Sequence, residues 1–199
     1  VDLYSKKKDK KEKLRYIRIL MNKQKQNLQM FLSKNIFPTP LGNLTGIASS
    51  KGLVLLSFEE DLAYVYTRIT KYFPAYRLNN QFSKTLEQTH IWLQQYFSNA
   101  AFKTQPPAID LHGTPFAIQA WQALLQIPAG TTRSYGDLAK SIGFPKACRA
   151  IGRIMGENPI AIIVPCHRVI GASGKLTGYR SGLKRKEWLL NHEQATILR

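Results

Sequence analysis

Cysteine is scarce in this chain. Two in 199 residues, Cys148 and Cys166, are too few for a disulfide framework or a four-cysteine zinc site. Acidic side chains are also few, 12 against 29 lysines and arginines, and the formal charge is +17. Such an imbalance favours a polyanionic partner, nucleic acid or an anionic membrane surface, over an acidic small molecule. Long apolar runs are missing too: none approaches the roughly 18 residues of a membrane span. Tyr16 to Met21 is too short for a secretory h-region and is broken by Arg18. The expected compartment is therefore intracellular and reducing, with both thiols free: cytoplasm in a bacterium, nucleus in a eukaryote.

What is present can build a core. The chain is 44% hydrophobic and 11% aromatic, with length for one ordinary domain or two small ones. Its charge is unevenly spread. Residues 1–35 hold 11 basic and 3 acidic side chains, residues 36–112 hold 6 and 5, and residues 113–199 hold 12 and 4. The excess sits in a basic tail and in the C-terminal part, which is expected to face the polyanion.

The tail, 1–35, combines Lys6 to Lys11 with the Gln-rich Asn22 to Gln29, and Met21 is a possible natural start. It reads as a solvated or partly helical extension whose removal spares the chemistry. Ordered structure is expected from about Phe37. Gly42 to Ala48 and Leu53 to Phe58 flank a Gly-containing turn and predict a β-hairpin. Ala63 to Tyr72 and Ser83 to Phe97 predict helices, the second with a stripe of Leu86, His90, Leu93 and Phe97 that makes His90 a core or boundary residue. Phe102 to His112 reads as a linker with an extended segment. Thr114 and Pro115 can cap and open a helix buried through Phe116, Ala120, Trp121, Leu124 and Leu125. From Ser134 to Asn158 two short helical patterns flank Gly143-Phe144-Pro145, as in a helix-turn-helix. A last helix spans Leu183 to Leu190, and no internal repeat is present.

The chemistry concentrates in Val164-Pro165-Cys166-His167-Arg168-Val169. A free thiol is only a few per cent thiolate at neutral pH, so a nucleophilic cysteine needs a base or local positive charge. His167 and Arg168 supply both kinds of group, although neighbours in an extended segment point opposite ways. Pro-Cys-His-Arg by itself also fits a structural thiol beside a surface His-Arg pair. Zinc is a poorer reading, because adjacent Cys and His make a strained chelate. A cysteine hydrolase lacks a marked oxyanion hole or third member.

The surrounding motifs narrow these readings. Gly113-Thr114-Pro115-Phe116, Ile127-Pro128-Ala129-Gly130, Ser134 to Ala139, Pro145 to Gly152 and Asn158-Pro159 precede the cysteine motif. Gly178-Tyr179-Arg180, Lys186 to Leu190 and Glu193 follow it. In order and spacing this series resembles the O6-alkylguanine-DNA alkyltransferases, the methylated-DNA–protein-cysteine methyltransferases. The resemblance covers nearly all of 113–199, fits 36–112 loosely and does not reach 1–35.

It implies an α+β architecture: an N-terminal α/β domain (36–112) with a small hairpin-containing sheet, and a mostly helical, winged-helix-like C-terminal domain (113–199). It implies repair by direct damage reversal, in which an alkyl group passes irreversibly from a flipped O6-alkylguanine, mainly O6-methylguanine, to Cys166. The enzyme would be spent after one turnover. His167 is implied as base through a water, with Glu193 behind it; Asn158 as the hinge joining recognition helix to active-site turn; and Tyr135 beside the flipped nucleotide's phosphate, able to donate to the base. Met155, Val169, Tyr179, Arg180 and Lys186 line or flank the guanine pocket, with backbone at Cys166, Val169 and Arg180 reading the base edge. Ser134, Tyr135, Gly136, Lys146, Arg149, Arg153 and Ala172 face DNA, Arg149 as the finger that fills the vacated stack. The second helix of the motif enters the minor groove, where small Ala147, Cys148, Ala150 and Gly152 allow close approach.

The implied partner is double-stranded DNA, bound by a monomer with cooperativity left open, and with affinity that falls as salt rises. No cofactor is implied. Residues 1–112 contain no cysteine, so the zinc of some relatives is not expected. Arg153 stands where a smaller residue is common, and Cys148 reads as a small helix residue. A non-catalytic lesion sensor or helix-turn-helix regulator is the rival, but retention of Cys166 favours chemistry.

Overall fold

The structure, a computed structural model, describes residues 30–98 and 105–194. The basic run Lys6 to Lys11, the Gln-rich stretch, Met21, and residues 102–104 of the expected linker lie outside the described residues. The fold is α+β. A four-stranded sheet has the order β3-β2-β1-β4, with β1 Phe31–Phe37, β2 Leu44–Ala48, β3 Leu53–Phe58 and β4 Arg77–Asn79. β1–β2 and β2–β3 are antiparallel, and β4 joins β1 in parallel. The predicted hairpin is β2–β3, closed by Ser49 N–H donating to Gly52 O (2.8 Å).

Order begins before Phe37. Phe31 to Asn35 already belong to β1, whose register against β2 runs from Ser33↔Ala48 to Phe37↔Leu44. Cutting after residue 35 would therefore remove most of a strand hydrogen-bonded on both sides. Removal of 1–35 is expected to damage the sheet, which corrects the expectation that it spares the chemistry.

Every residue of β2 and β3 is buried, because a helix covers each face of the hairpin. On one side α1 (Leu62–Tyr72) contributes Ile69, followed by Phe73, to a cluster with Leu32, Ile47, Val54 and Leu55. On the other, α2 (Lys84–Ser98) packs Leu86, Leu93 and Tyr96 into a larger cluster with Phe37, Leu44 and Leu56. The buried face of α2 is Leu86, Thr89, Trp92, Leu93 and Tyr96. It is rotated from the expected one, and His90 lies at the boundary, stacked on Phe37 at 5.8 Å.

α3 (Pro115–Leu124) opens as its residues dictate: Thr114 accepts from Ala117 N–H, and Pro115 occupies the first turn. Its Trp121 is fully buried and donates Nε1–H to Ile154 O (3.1 Å). Gly113 is required beside it, since a Cβ there would lie 2.7 Å from the indole. The helix-turn-helix follows as α4 (Tyr135–Ser141) and α5 (Cys148–Gly156). A two-residue parallel pair, β5 (Arg133–Ser134) with β6 (Val169–Ile170), and α6 (Leu183–His192) complete the fold. Among the described residues no helix is long and apolar enough to cross a membrane.

Two backbone bonds fix the approach to Cys166. Leu56 N–H of β3 donates to Pro159 O (2.9 Å), and Ala161 N–H donates to Leu56 O (2.7 Å). These are the bonds of one parallel bridge between Leu56 and Ile160. The largely β-branched run Ile160 to Val164 then leaves the strand direction in a buried turn, closed by Val164 N–H donating to Ile160 O (3.1 Å). Ile162 has a left-handed φ of 69°, a conformation that costs a β-branched residue about 1–3 kcal/mol.

Candidate active site

Cys166 begins a single turn of 3-10 helix, Cys166–Arg168, that follows this turn and Pro165. The thiol is buried, with 7% of the residue exposed. The short helix removes the obstacle that an extended Cys-His pair presents, because its side chains no longer alternate across a strand. Asn158, just past α5, closes the loop from the recognition helix to the thiol. Its Nδ2 donates to Val164 O (2.7 Å) and to Cys166 Sγ (3.1 Å), while Oδ1 accepts from Ile160 N–H (3.0 Å). All three partners lie within eight residues, so one side chain fixes the shape of the whole turn.

His167 is completely buried, and its Nε2 lies 2.9 Å from Glu193 Oε1. Glu193 is the C-cap residue of α6 through its backbone N–H, and its carboxylate also accepts from Arg168, Nε to Oε2 and Nη2 to Oε1, both at 2.8 Å. Arg168 Nη1 donates to Ile127 O (2.5 Å), and Tyr96 Oη donates to Glu193 Oε1 (2.7 Å). Burial alone would raise the Glu193 carboxyl, but hydrogen bonds from His167 and Arg168 outweigh it and hold it well below the usual range. The Arg168 guanidinium neutralises the carboxylate without help from the imidazole. Burial lowers His167 from its ordinary 6.5 more than Glu193 raises it, so the ring is neutral near pH 7.

An ionised carboxylate only accepts, so the neutral ring carries its proton on Nε2. Nδ1 is thereby left as a bare acceptor. It is buried and has no hydrogen-bond partner among the described residues. Burial raises the Cys166 thiol, opposed by the Asn158 hydrogen bond and by the charges of Arg180 and Lys186. The arrangement is a thiol, an unprotonated imidazole nitrogen from the next residue, and a carboxylate that sets the tautomer.

Lys186 departs furthest from an ordinary helix-surface lysine. It is fully buried, and its Nζ donates to Val169 O (2.6 Å) and Thr177 O (2.9 Å). Burial lowers it to about 8, with Cys166 opposing the shift. Val169 is buried in β6, and its carbonyl is the one Lys186 binds. Met155, Asn158, Cys166, Tyr179, Arg180 and Ser181 line one small cleft, so the structure brings three of the five expected pocket residues around the thiol. Tyr179 Oη is buried without a hydrogen-bond partner among the described residues. Arg180 Nη1 donates to Gly156 O at the end of α5 (2.9 Å).

The outer surface is built around α5. Ile151, Ile154 and Met155 are buried, while Arg149, Ala150, Gly152 and Arg153 are exposed, so one face is small apart from its cations. Arg149 makes no interaction among the described residues; Arg153 pairs with Glu157 at 2.9 Å. Lys146 is exposed in the turn before α5. Ser134 caps α4 by accepting from Asp137 N–H (3.0 Å), with half-buried Gly136 beside it. The Ser134↔Ile170 pairing brings this cap beside the active-site strand. Tyr135 Oη donates to Thr177 O (3.0 Å), and Ala172 is exposed after β6. Among the described residues no three His, Cys, Asp or Glu side chains cluster as a metal site.

Arg168 and Tyr96 were not singled out as site residues from sequence. Arg168 reads there as local positive charge beside a thiol, and its turn toward Glu193 depends on where α6 ends. Tyr96 carries no sequence signal beyond its place on an apolar helix.

Fold and site define a helix-turn-helix protein that buries a free cysteine thiol behind its second helix. Residues 115–195 match the family model described as 6-O-methylguanine DNA methyltransferase, DNA binding domain. A methylated-DNA–protein-cysteine methyltransferase of Methanosarcina acetivorans is 41% identical over 158 residues, 79% of this chain and 96% of that relative. One of Mycobacterium tuberculosis is 62% identical over 87 residues, 44% of this chain; the match spans about half of that relative, 53%. The crystal structure of Mycobacterium tuberculosis OGT in complex with DNA superposes with a TM-score of 0.68 at 39% identity, over 82% of this chain and 92% of that one. This chain belongs to the methylated-DNA–protein-cysteine methyltransferase family.

Proposed function

We propose that this protein repairs DNA by taking the alkyl group of O6-alkylguanine, chiefly O6-methylguanine, onto Cys166. The observation that carries the proposal is the buried His167 with Nε2–H on Glu193 and a bare Nδ1, one residue from a thiol held by Asn158. His167 takes the thiol proton through a water. The sulfur then attacks the alkyl carbon, the S–C bond forms as the C–O6 bond breaks, and guanine leaves with the proton returned to it. The thioether cannot regenerate the thiol, so each molecule acts once. Lys186, buried against the base-pocket strand and titrating near 8, keeps positive charge beside the developing anion at neutral pH.

Duplex DNA as partner is supported by the exposed cations and small residues of α5 and by the DNA-bound mycobacterial relative. The damaged nucleotide must leave the stack to reach a thiol this buried, at a cost of a few kcal/mol. Arg149, exposed and unengaged among the described residues, is the side chain to fill the vacated space. Arg149→Ala is expected to slow transfer from O6-methylguanine in duplex DNA by about tenfold or more while leaving reaction with free O6-benzylguanine nearly unchanged. Equal losses on both substrates would remove Arg149 from this role.

Intact-protein mass spectrometry tests the reaction itself. After incubation with O6-methylguanine DNA, one methyl increment is expected, located on the peptide that contains Cys166 and absent from Cys166→Ser. Retained binding with no increment would leave the lesion-sensor reading in its place.

A further inference from the structure

The cleft around Cys166 is bounded on one side by Tyr179, Arg180 and Ser181, which belong to no strand or helix. Gly178 (φ 50°) and Gly182 (φ 92°) flank them, so the local backbone has little preference of its own for this shape. Something else must hold the wall. The side chains that do so come from the other end of the chain, from the acidic turn Glu59–Asp61 between β3 and α1.

Asp61 Oδ2 accepts a 2.5 Å hydrogen bond from Ser181 Oγ and lies 3.4 Å from Arg180 Nε. Arg180 also reaches Ser57 Oγ in β3 (3.4 Å). Glu60 pairs with Arg185 Nη2 at 2.7 Å, and Arg185 Nη1 donates to Ser181 O (3.2 Å). The two carboxylates do not count equally. The Glu60 side chain is 65% exposed, and an ion pair in water contributes little. Asp61 and Arg180 are only 12% and 19% exposed, so their attraction is less screened and leaving either alone is costly.

We infer that Asp61 is a specificity-determining positioning residue: it fixes the Arg180–Ser181 wall of the pocket and so limits the size of the alkyl group that Cys166 accepts. It touches neither sulfur nor substrate and acts through the two wall residues. With the carboxylate in place the wall stands close to the sulfur and suits a methyl group. Without it Arg180 keeps Gly156 O and Ser57 Oγ and Arg185 keeps Ser181 O, but the Ser181 hydroxyl loses its acceptor, the wall yields and a larger group enters more easily.

The inference rests on the alkyl-transfer reading and is tested by competition between two lesions. Single-turnover transfer is measured for wild type, Asp61→Asn, Asp61→Ala and Ser181→Ala on duplexes carrying O6-methylguanine or O6-benzylguanine. The readout is the benzyl-to-methyl rate ratio. A loss of folded protein lowers both rates together and cancels in that ratio. Asp61→Ala is expected to raise it about 2- to 30-fold, the span for residues that act on a site through others. Asp61→Asn, which keeps an acceptor for Ser181, should raise it less. If Asp61→Ala does not fold, Ser181→Ala carries the test, since it deletes one hydroxyl and should move the ratio the same way. An unchanged or lower ratio in variants that still transfer methyl overturns the inference and leaves the reaction standing. Absence of transfer by wild type overturns both.

Discussion

Replacing Glu193 with glutamine is expected to slow alkyl transfer about 10²- to 10⁴-fold, the contribution of a positioned acid–base group. The carboxylate accepts from His167, Arg168 and Tyr96 at once. An amide has one oxygen to offer. If that oxygen stays on Arg168, the amide N–H faces His167 Nε2 and forces the ring proton onto Nδ1, the nitrogen required as base. Stability falls as well, by about 3–5 kcal/mol, because a buried guanidinium loses its counter-charge. Single-turnover transfer and urea unfolding of the same variant measure the two effects. Transfer within a few-fold of wild type would show that His167 does not act as base.

The pH dependence of stability carries the same signature. The folded-state pKa of Glu193 is depressed, so its contribution is complete above its ordinary 4.5 and is lost as pH falls further. His167 is also depressed, so below its ordinary 6.5 the unfolded chain takes up a proton that the folded one resists, which opposes folding. Wild type should lose stability progressively from pH 6.5 downward. Glu193→Gln should start lower and lose less of it below 4.5, as urea midpoints between pH 7 and pH 3 would record.

Asn158→Ala is the second large effect. The substitution strips the only hydrogen-bond donor side chain bound to Cys166 Sγ among the described residues and leaves Ile160 N–H buried without its acceptor. An unsatisfied buried donor costs about 1–3 kcal/mol. A hydrogen bond to a charged group contributes about 1.5–3 kcal/mol, so the thiolate becomes harder to form by a similar amount. Transfer is expected to fall about 10- to 100-fold. The rising limb of its pH profile should move to higher pH, which a purely structural defect would not cause. An unshifted profile would exclude Asn158 from thiol activation.

Much of this molecule is legible along the chain because its signals are local. Thr114 and Pro115 sit where a capped helix must begin, and Gly143-Phe144-Pro145 separates α4 from α5 as turn chemistry requires. The β2–β3 hairpin follows from two apolar runs around Ser49 to Gly52. β1 has little signal along the chain because Phe31 to Asn35 alternates weakly, and its identity comes from ladders to β2 and β4. Ile160 to Val164 has β-strand composition but makes only one bridge to β3 before it turns, with Val164 N–H bonded back to Ile160 O and Ile162 at positive φ.

Residues close together in the chain account for the helix-turn-helix, the nucleophile candidate with its neighbouring base, and a cationic surface, because each depends on local sequence alone. Which atoms face one another depends on how distant segments pack. Arg168 looks like surface charge until the end of α6 brings Glu193 to it, 25 residues on. Lys186 looks like a helix-surface lysine until β6 and Thr177 surround its ammonium, and Asp61 has no evident role until Ser181, 120 residues later, lies against it. Charge states behave likewise: burial and partners, not residue type, make His167 neutral and Glu193 ionised. Residue type fixes what a side chain can do, while the low dielectric and partners that select among those options exist only once distant segments have packed.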